Sequence, residues 1–157
     1  MRKIERLTRH FRNALDAAWR DGMFRKLYPF NNFPNDCCGH ACDLLSQYLM
    51  EHGIETKQVN GTCINDNQWH HVWLITEDGI VIDITGDQFI GKLVTEEEVD
   101  IVHVGEEGVV HKIFCVNRHL ERVTNFTDQD KYTDFGGRPS VYQQRLIDVY
   151  EILNSYL

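Results

Sequence analysis

The chain has 157 residues, of which 42% are hydrophobic and 25% are charged, and this ordinary composition excludes a disordered, collagen-like or coiled-coil chain. At this length we expect one domain that spans residues 1–157. Sixteen Lys and Arg against 24 Asp and Glu give a net charge of −8, which argues against nucleic acid as a partner, because binding to phosphates depends on basic side chains.

The cysteines indicate the compartment. Their number, five, is odd, and three of them lie within residues 37–42, whereas a small secreted protein shows an even set of separated cysteines. The first ten residues are charged throughout and lack the apolar core of a signal peptide. No stretch approaches the roughly 18 apolar residues of a membrane span. We therefore expect a cytoplasmic protein with reduced thiols and no membrane partner.

Two helices are predicted in the first third of the chain. Apolar residues recur at helical spacing near the N-terminus, which predicts a helix over residues 2–27 that ends before Pro29. Asp36 or Asn35 is the expected N-cap of a second helix, and the His-Gly pair at 52–53 is expected to end it.

The middle of the chain predicts strands. A Glu-Asp-Gly turn at 77–79 joins the β-like runs at 69–76 and 80–85 into a hairpin. The β-like runs cover residues 58–64, 69–76 and 80–85, and residues 101–104 and 109–116 are candidates for further strands.

The last part of the chain predicts a loop and a helix. Residues 121–139 are polar and are expected to form a long loop. Ser140 and Gln143 have the spacing of a capping box and begin a final helix. The order of elements predicts an α+β domain, with N-terminal helices packed on an antiparallel sheet and with a C-terminal helix.

The start of the second predicted helix is a candidate site for a nucleophile. Cys37 and Cys38 lie there, where free backbone N–H groups and the positive end of the helix dipole favour a thiolate. The same N–H groups can stabilise an oxyanion next to the sulfur. By position alone, small core residues are the more common role of such cysteines.

Asp83 stands alone in the apolar run 80–84, and a buried carboxylate needs a partner. Side-chain alternation across the hairpin makes His71 a direct or diagonal neighbour of Asp83 and turns His70 to the apolar side. A carboxylate beside an imidazole fixes its tautomer and supports the imidazolium. Together with a cysteine at a helix start, the pair predicts an activated nucleophile; a structural His–Asp hydrogen bond is the alternative.

Three short motifs carry a resemblance to a known superfamily. A cysteine at a helix start, the strand sequence His-Val-Trp-Leu at 71–74 and Asp-Ile-Thr at 83–85 resemble the core of papain-like and transglutaminase-like enzymes. The segments at 33–40 and 82–89 also resemble a family of small bacterial proteins of this type, in which the Cys before Gly is fixed. The resemblance covers residues 30–90.

The resemblance implies a catalytic triad. Cys38 precedes Gly39 and would be the nucleophile, His71 would exchange protons with it, and Asp83 would orient His71. The acyl-enzyme would form from an amide or ester and be resolved by water or by an amine, which gives an amide hydrolase, a deamidase or a transglutaminase-like enzyme. The implied substrate is a peptide or another amide-containing molecule, and no cofactor is needed.

Substrate-binding residues are less defined. The backbone N–H of Cys38 would be one oxyanion donor, and Asn35, with Asn31 and Asn32, is a candidate for the second. Trp73 or Trp69 would form a wall of the substrate cleft, although an aromatic residue in a strand is more often part of the core.

Two other classes of protein stay open. The first is a non-catalytic binding or immunity-type protein on the same fold. The second is a small zinc protein, but the Cys and His residues lack the two separated pairs of a structural zinc site, so no metal is expected. Asp87 is an alternative orienting acid. The remaining histidines have no partner that the sequence identifies and are expected in solvent or in the core: His10, His52, His103, His111 and His119.

Overall fold

The computed structural model describes residues 2–117, 122–123, 126 and 138–157. Within these residues the chain combines helices with an antiparallel sheet, which confirms the predicted α+β class and its C-terminal helix. The helices are α1 (Lys3–Arg20), α2 (Cys38–Glu51), the one-turn α3 (Val109–Lys112) and α4 (Val141–Leu153), and the strands are β1 (Lys57–Cys63), β2 (His70–Ile75), β3 (Val81–Asp83), β4 (His103–Gly105), β5 (Phe114–Val116) and β6 (Arg122–Val123).

The sheet has the order β4-β3-β2-β1-β5, and β6 also pairs with β1. All of these pairings are antiparallel. In the β2–β3 hairpin, Leu74 lies opposite Ile82, so residues of equal parity share a face, as predicted. This register determines which side chains lie on the same face of the sheet at the candidate site.

The two faces of the sheet are covered differently. The larger core lies between one face and helices α1, α2 and α4, where Leu74 and Ile82 pack against apolar side chains of the helices. A smaller cluster around Trp73, Phe89 and Phe114 lies on the other face. That face is covered by α3 and by the segment that follows β3, and both contribute to the site described below.

Helix α1 is shorter than predicted. It ends at Arg20 because Gly22 adopts a φ of 74°, a left-handed conformation that glycine takes without strain. The N–H of Met23 then bonds back to the carbonyl of Ala18 at 3.0 Å. Apolar spacing continues past this point in the sequence, but the glycine stops the helix.

The predicted N-cap of α2 is wrong. The N-cap residue is Cys37, without a side-chain hydrogen bond, and Asp36 has a φ of 61°. Its carboxylate instead accepts a hydrogen bond from the Asn32 side chain at 3.0 Å. Cys38 is nevertheless the first residue of the helix, and the predicted end of α2 at the His-Gly pair is confirmed.

The C-terminal half differs from the prediction in two places. Residues 109–112 form α3 rather than a strand, and only the segment from Phe114 to Val116 is extended. Residues 122–123 form β6, while most of the predicted loop at 121–139 lies outside the described residues. Ser140 caps α4 as expected, because its hydroxyl accepts the N–H of Gln143 at 3.1 Å. No helix in the described part of the chain is long and apolar enough to cross a membrane.

Arg12 joins α1 to the segment that follows β3. Its guanidinium donates to both oxygens of Asp87, at 3.0 and 2.8 Å, and to the carbonyl of Ile84 at 2.6 Å. Asp16 accepts a further pair of hydrogen bonds, one turn along α1. The carboxylate of Asp87 is therefore committed to Arg12, which argues against Asp87 as the acid that orients His71.

Arg12→Leu is expected to lower the free energy of unfolding by about 3 kcal/mol, because it leaves the Asp87 carboxylate, whose side chain is only 12% exposed, without its cation. Arg9→Leu on the same helix is the matched control. Its side chain is 47% exposed and its guanidinium lies 3.7 Å from the Glu5 carboxylate, so its loss should change the stability by less than about 0.5 kcal/mol. Urea denaturation of both variants measures the difference, and equal losses would contradict the role given to Arg12.

Candidate active site

The site is built on a buried pair in the hairpin. His71 Nε2 donates to Asp83 Oδ2 at 2.7 Å, and the side chains are 0% and 2% exposed. The other carboxylate oxygen, Oδ1, accepts the backbone N–H of Thr85 at 2.9 Å. The pair forms because β2 and β3 turn these two residues to one face at diagonal positions, as the sequence predicts.

The segment after Asp83 is shaped around the carboxylate. Gly86 lies so close that a Cβ atom there would be 3.1 Å from Asp83 Oδ2, tighter than ordinary van der Waals contact. The sequence Asp-Ile-Thr-Gly therefore supplies the carboxylate, one N–H donor to it and the space that it needs.

One prediction about a neighbouring strand residue is wrong, and for Trp73 the structure agrees with the core alternative that the sequence also offered. His70 is exposed, because it begins β2 and belongs to the last pair of the β1–β2 ladder, opposite Thr62, whose hydroxyl it contacts at 3.2 Å. Trp73 is 1% exposed and packs against Phe114. It is a core residue that supports His71 from below, with ring centroids 5.5 Å apart, and it does not line a cleft.

His111 is a second histidine on the same carboxylate. Its Nε2 lies 2.9 Å from Asp83 Oδ2, and the residue is 3% exposed. No partner for His111 was predicted, because it lies in a segment predicted as a strand, whereas the structure places it in the one-turn helix α3. Gln88 was also missed: its side-chain nitrogen lies 3.5 Å from His71 Nδ1 and donates to the carbonyl of Thr85 at 2.9 Å.

Cys38 completes the arrangement from α2. It is partly exposed at the first residue of the helix, and it lies close enough to His71 that its side chain contributes to raising the pKa of His71. Since Asp83 occupies Nε2, Nδ1 is the imidazole nitrogen that remains for other partners, and the Gln88 side chain lies 3.5 Å from it. The structure thus brings together the three residues that the sequence singled out.

The other cysteines have different environments. Burial raises the pKa of Cys37 and of Cys42, and the thiol of Cys42 donates to the carbonyl of Val72 at 3.4 Å. Cys63 is buried and Cys115 is exposed. Of these four cysteines, only the exposed Cys115 is as accessible to reagents as Cys38, so it serves as the internal reference when the alkylation of Cys38 is measured.

The charges of the pair are strongly coupled. Burial by itself lowers the pKa of His71, but the charge and hydrogen bond of Asp83, with the Cys38 side chain, outweigh it and raise the pKa to about 9. Burial by itself raises the pKa of Asp83, but the His71 charge and the hydrogen bonds from His111 and His71 outweigh it and hold the pKa far below its usual value. At neutral pH the pair is therefore an imidazolium and a carboxylate.

A partly exposed rim of side chains lies next to this pair. Phe89 meets the His71 ring edge-on, with centroids 4.9 Å apart, and meets the half-buried Trp69 in the same manner at 6.2 Å. Lys92 Nζ lies 5.8 Å from the Trp69 ring and donates to Asn35 Oδ1 at 3.2 Å. Asn35 therefore lies on this rim, so it stays a candidate for substrate binding, and Trp69 replaces Trp73 as the candidate wall.

The described residues also contain a group with metal-ligand chemistry. One ligand atom each from His71, Asp83 and His111 lie within 4.8 Å of one another, which differs from the Cys and His cluster that the sequence suggested for zinc. The N···O distances, 2.7 and 2.9 Å, are those of hydrogen bonds. Both nitrogens share a single carboxylate oxygen, so the group is already satisfied by hydrogen bonding.

Comparison with known proteins identified no relative: the chain matches no protein-family model, no curated protein and no solved structure. The resemblance of the three motifs to papain-like and transglutaminase-like enzymes therefore stays a prediction.

The coupled pair predicts a distinct pH dependence of stability. His71 has a pKa of about 9 in the folded protein and of roughly 6.5 when unfolded, so its contribution is complete below pH 6.5 and is lost as the pH rises to 9. Asp83 has a lowered pKa in the folded protein, so its contribution is complete above roughly pH 4 and is lost on acidification.

We therefore expect the free energy of unfolding to be highest between about pH 4 and 6.5. Urea denaturation across pH 3–9 measures it, and Asp83→Asn should flatten both sides of the profile. His70→Asn is the control and should leave the wild-type profile unchanged. A wild-type stability that keeps rising from pH 6.5 to 9 would contradict the assignment of charges.

Proposed function

We propose that this protein is a cysteine-dependent acyl-transfer enzyme with the triad Cys38, His71 and Asp83. The observation that carries the proposal is the buried His71–Asp83 pair with a partly exposed cysteine beside it, at the first residue of a helix. An imidazolium beside a thiol favours the thiolate, which is the nucleophilic form of cysteine.

In the first half of the reaction, the Cys38 thiolate attacks the carbonyl carbon of an amide and forms a tetrahedral oxyanion. The first turn of α2 offers backbone N–H groups that have no carbonyl partner one turn earlier, and the N–H of Cys38 is one donor to this oxyanion. When the C–N bond breaks, His71 transfers its Nδ1 proton to the leaving amine. A thioester on Cys38 and a neutral His71 result.

In the second half, neutral His71 removes a proton from water or from an acceptor amine, which attacks the thioester. The C–S bond breaks, Cys38 leaves as the thiolate, and the His71 imidazolium is restored. Asp83 stays ionised throughout; it holds the ring orientation and stabilises its positive charge. Water as the acceptor gives hydrolysis or deamidation, and an amine gives transamidation.

The order of the elements supports a papain-like or transglutaminase-like core. A helix-start cysteine comes first, and the histidine and the acid follow on adjacent antiparallel strands. A peptide or another amide-containing molecule is the proposed substrate, and the Trp69 and Asn35 rim is its proposed binding surface. The free thiols of the five cysteines agree with a cytoplasmic location.

The proposal predicts selective alkylation of Cys38. The thiolate is the form that reacts with iodoacetamide, and a neighbouring imidazolium favours that form over the thiol. We expect iodoacetamide to modify Cys38 at least about tenfold faster than Cys115 at pH 6, as measured for each cysteine by mass spectrometry. His71→Asn should abolish this preference, and Asp83→Asn should reduce it.

His70→Asn is the matched control, since it changes the adjacent exposed histidine of β2 and should leave the preference intact. A second measurement tests acyl transfer itself: 4-nitrophenyl acetate should release one equivalent of nitrophenolate in a burst and leave an acetyl group on Cys38. Equal, slow alkylation of Cys38 and Cys115 from pH 5 to 9, without acetylation, would contradict the enzyme and favour a non-catalytic binding protein.

A further inference from the structure

His111 has a partner on each nitrogen of its ring. Nε2 lies 2.9 Å from Asp83 Oδ2, and Nδ1 accepts the backbone N–H of Gly108 at 2.9 Å. Gly108 is the N-cap residue of α3 and His111 is the third residue of that helix, so the ring takes the place that a Glu or Gln side chain has in a capping box.

The bond from Gly108 determines where the His111 proton is. A backbone N–H can only donate, so Nδ1 must carry a lone pair and no proton. The neutral ring then has its single proton on Nε2, which donates to the Asp83 carboxylate. Asp83 Oδ2 thus receives two N–H donors, from His71 and His111, while Oδ1 receives that of Thr85.

The same tautomer argues against a metal ion between these residues. A metal on Nε2 of His111 needs the lone pair of that nitrogen, and the proton would then lie on Nδ1. Nδ1 faces a backbone donor, so a proton there would oppose the N–H of Gly108. Hydrogen bonding to the carboxylate is the arrangement that satisfies every buried atom of the ring.

We propose that His111 is a positioning residue, held as the neutral Nε2–H tautomer by Gly108, that fixes the Asp83 carboxylate as the ionised and oriented partner of His71. With both oxygens occupied, the carboxylate cannot rotate away from His71. His111 is not a catalytic residue, because it contacts Asp83 and acts through it. Its effect on Cys38 rests on the proposed function, whereas its effect on Asp83 does not.

Several ionisable groups face His111 from the elements packed on it. Asp83 comes from β3 and His71 from β2, with the His71 and His111 rings 6.5 Å apart. His103 of β4 has its ring centroid 4.8 Å away. Glu98 and Asp100 lie across a cavity of about 180 Å³ that also borders Asp83 and His111. Among the groups named here, only His71 also donates a hydrogen bond to Asp83, as His111 itself does.

A pair of substitutions separates the two hydrogen bonds of His111. In His111→Gln the side-chain nitrogen can take the place of Nε2 and still donate to Asp83. In His111→Asn the amide reaches only as far as Nδ1, so it can bond Gly108 but not Asp83. A purely structural role in α3 predicts equal behaviour of the two variants, since the amide oxygen of either side chain can accept the N–H of Gly108, whereas the proposed role favours Gln. His103→Asn is the control for loss of a nearby imidazole.

Two readouts in the full-length protein test the proposal. The first is the acid side of the stability profile: in His111→Asn the fall below roughly pH 4 should be smaller and should level off at a higher pH than in the wild type, because Asp83 has lost a donor and its pKa in the folded protein rises. The second is the low-pH limb of Cys38 alkylation, which should shift in the same direction. His111→Gln and His103→Asn should keep the wild-type behaviour in both, and nitrogen-15 NMR should find the His111 proton on Nε2.

The outcomes distinguish this proposal from the proposed function. Inert wild-type Cys38 contradicts the enzyme, and the stability profiles then still decide the role of His111. If Cys38 is reactive but the stability profiles of His111→Gln and His111→Asn are equal, the role of His111 is overturned and the proposed function is not. A His111 proton on Nδ1, or its displacement from Nε2 by added Zn²⁺, also overturns it.

Discussion

The site depends on one physical constraint, which is that a buried carboxylate needs a partner for each of its oxygens. Asp83 lies in an apolar strand where an unpaired charge would be very costly, and the surrounding chain is arranged to meet that cost. Thr85 supplies a backbone N–H, Gly86 leaves space, and two histidines donate to the remaining oxygen. The imidazolium of His71 is a consequence of that arrangement, since the carboxylate holds its proton.

The position of the carboxylate in turn depends on how the helical layer is attached. Arg12 of α1 binds the carbonyl of Ile84 and the carboxylate of Asp87, which are the neighbours of Asp83 and Gly86 along the chain. Removing one partner from such a buried pair costs more free energy than the pair itself contributes. The ion pair thereby connects the helices to the segment that surrounds Asp83, and Cys38 approaches from the same helical layer.

The proposed chemistry uses features that each have a structural reason. A helix start offers free N–H groups for an oxyanion, and the hairpin brings the imidazole and carboxylate to one face. Burial separates the roles of the cysteines, because it raises the pKa of Cys37 and Cys42 while Cys38 stays partly exposed. Of the five thiols, Cys38 is the one that contributes to the raised pKa of His71, which makes it the candidate nucleophile.

The sequence by itself determined those parts of the molecule that follow from local periodicity. Alternation with a period of two along β2 and β3 predicted that His71 and Asp83 are neighbours, and helical spacing predicted α1, α2 and α4. It failed where one residue overrides a pattern: Gly22 ends α1, and Asp36 leaves its predicted capping position.

Only the tertiary structure decided which side chains complete the site. His111 lies 28 residues from Asp83 in sequence and reaches it because α3 forms one turn where a strand was predicted. The pattern of residues 109–112 does not specify that turn, since a chain of four residues gains too few hydrogen bonds to fix a helix by itself. The hydrogen bonds of His111 to Gly108 and Asp83 stabilise it, and contacts between segments so distant in the chain leave no periodic signal in the sequence.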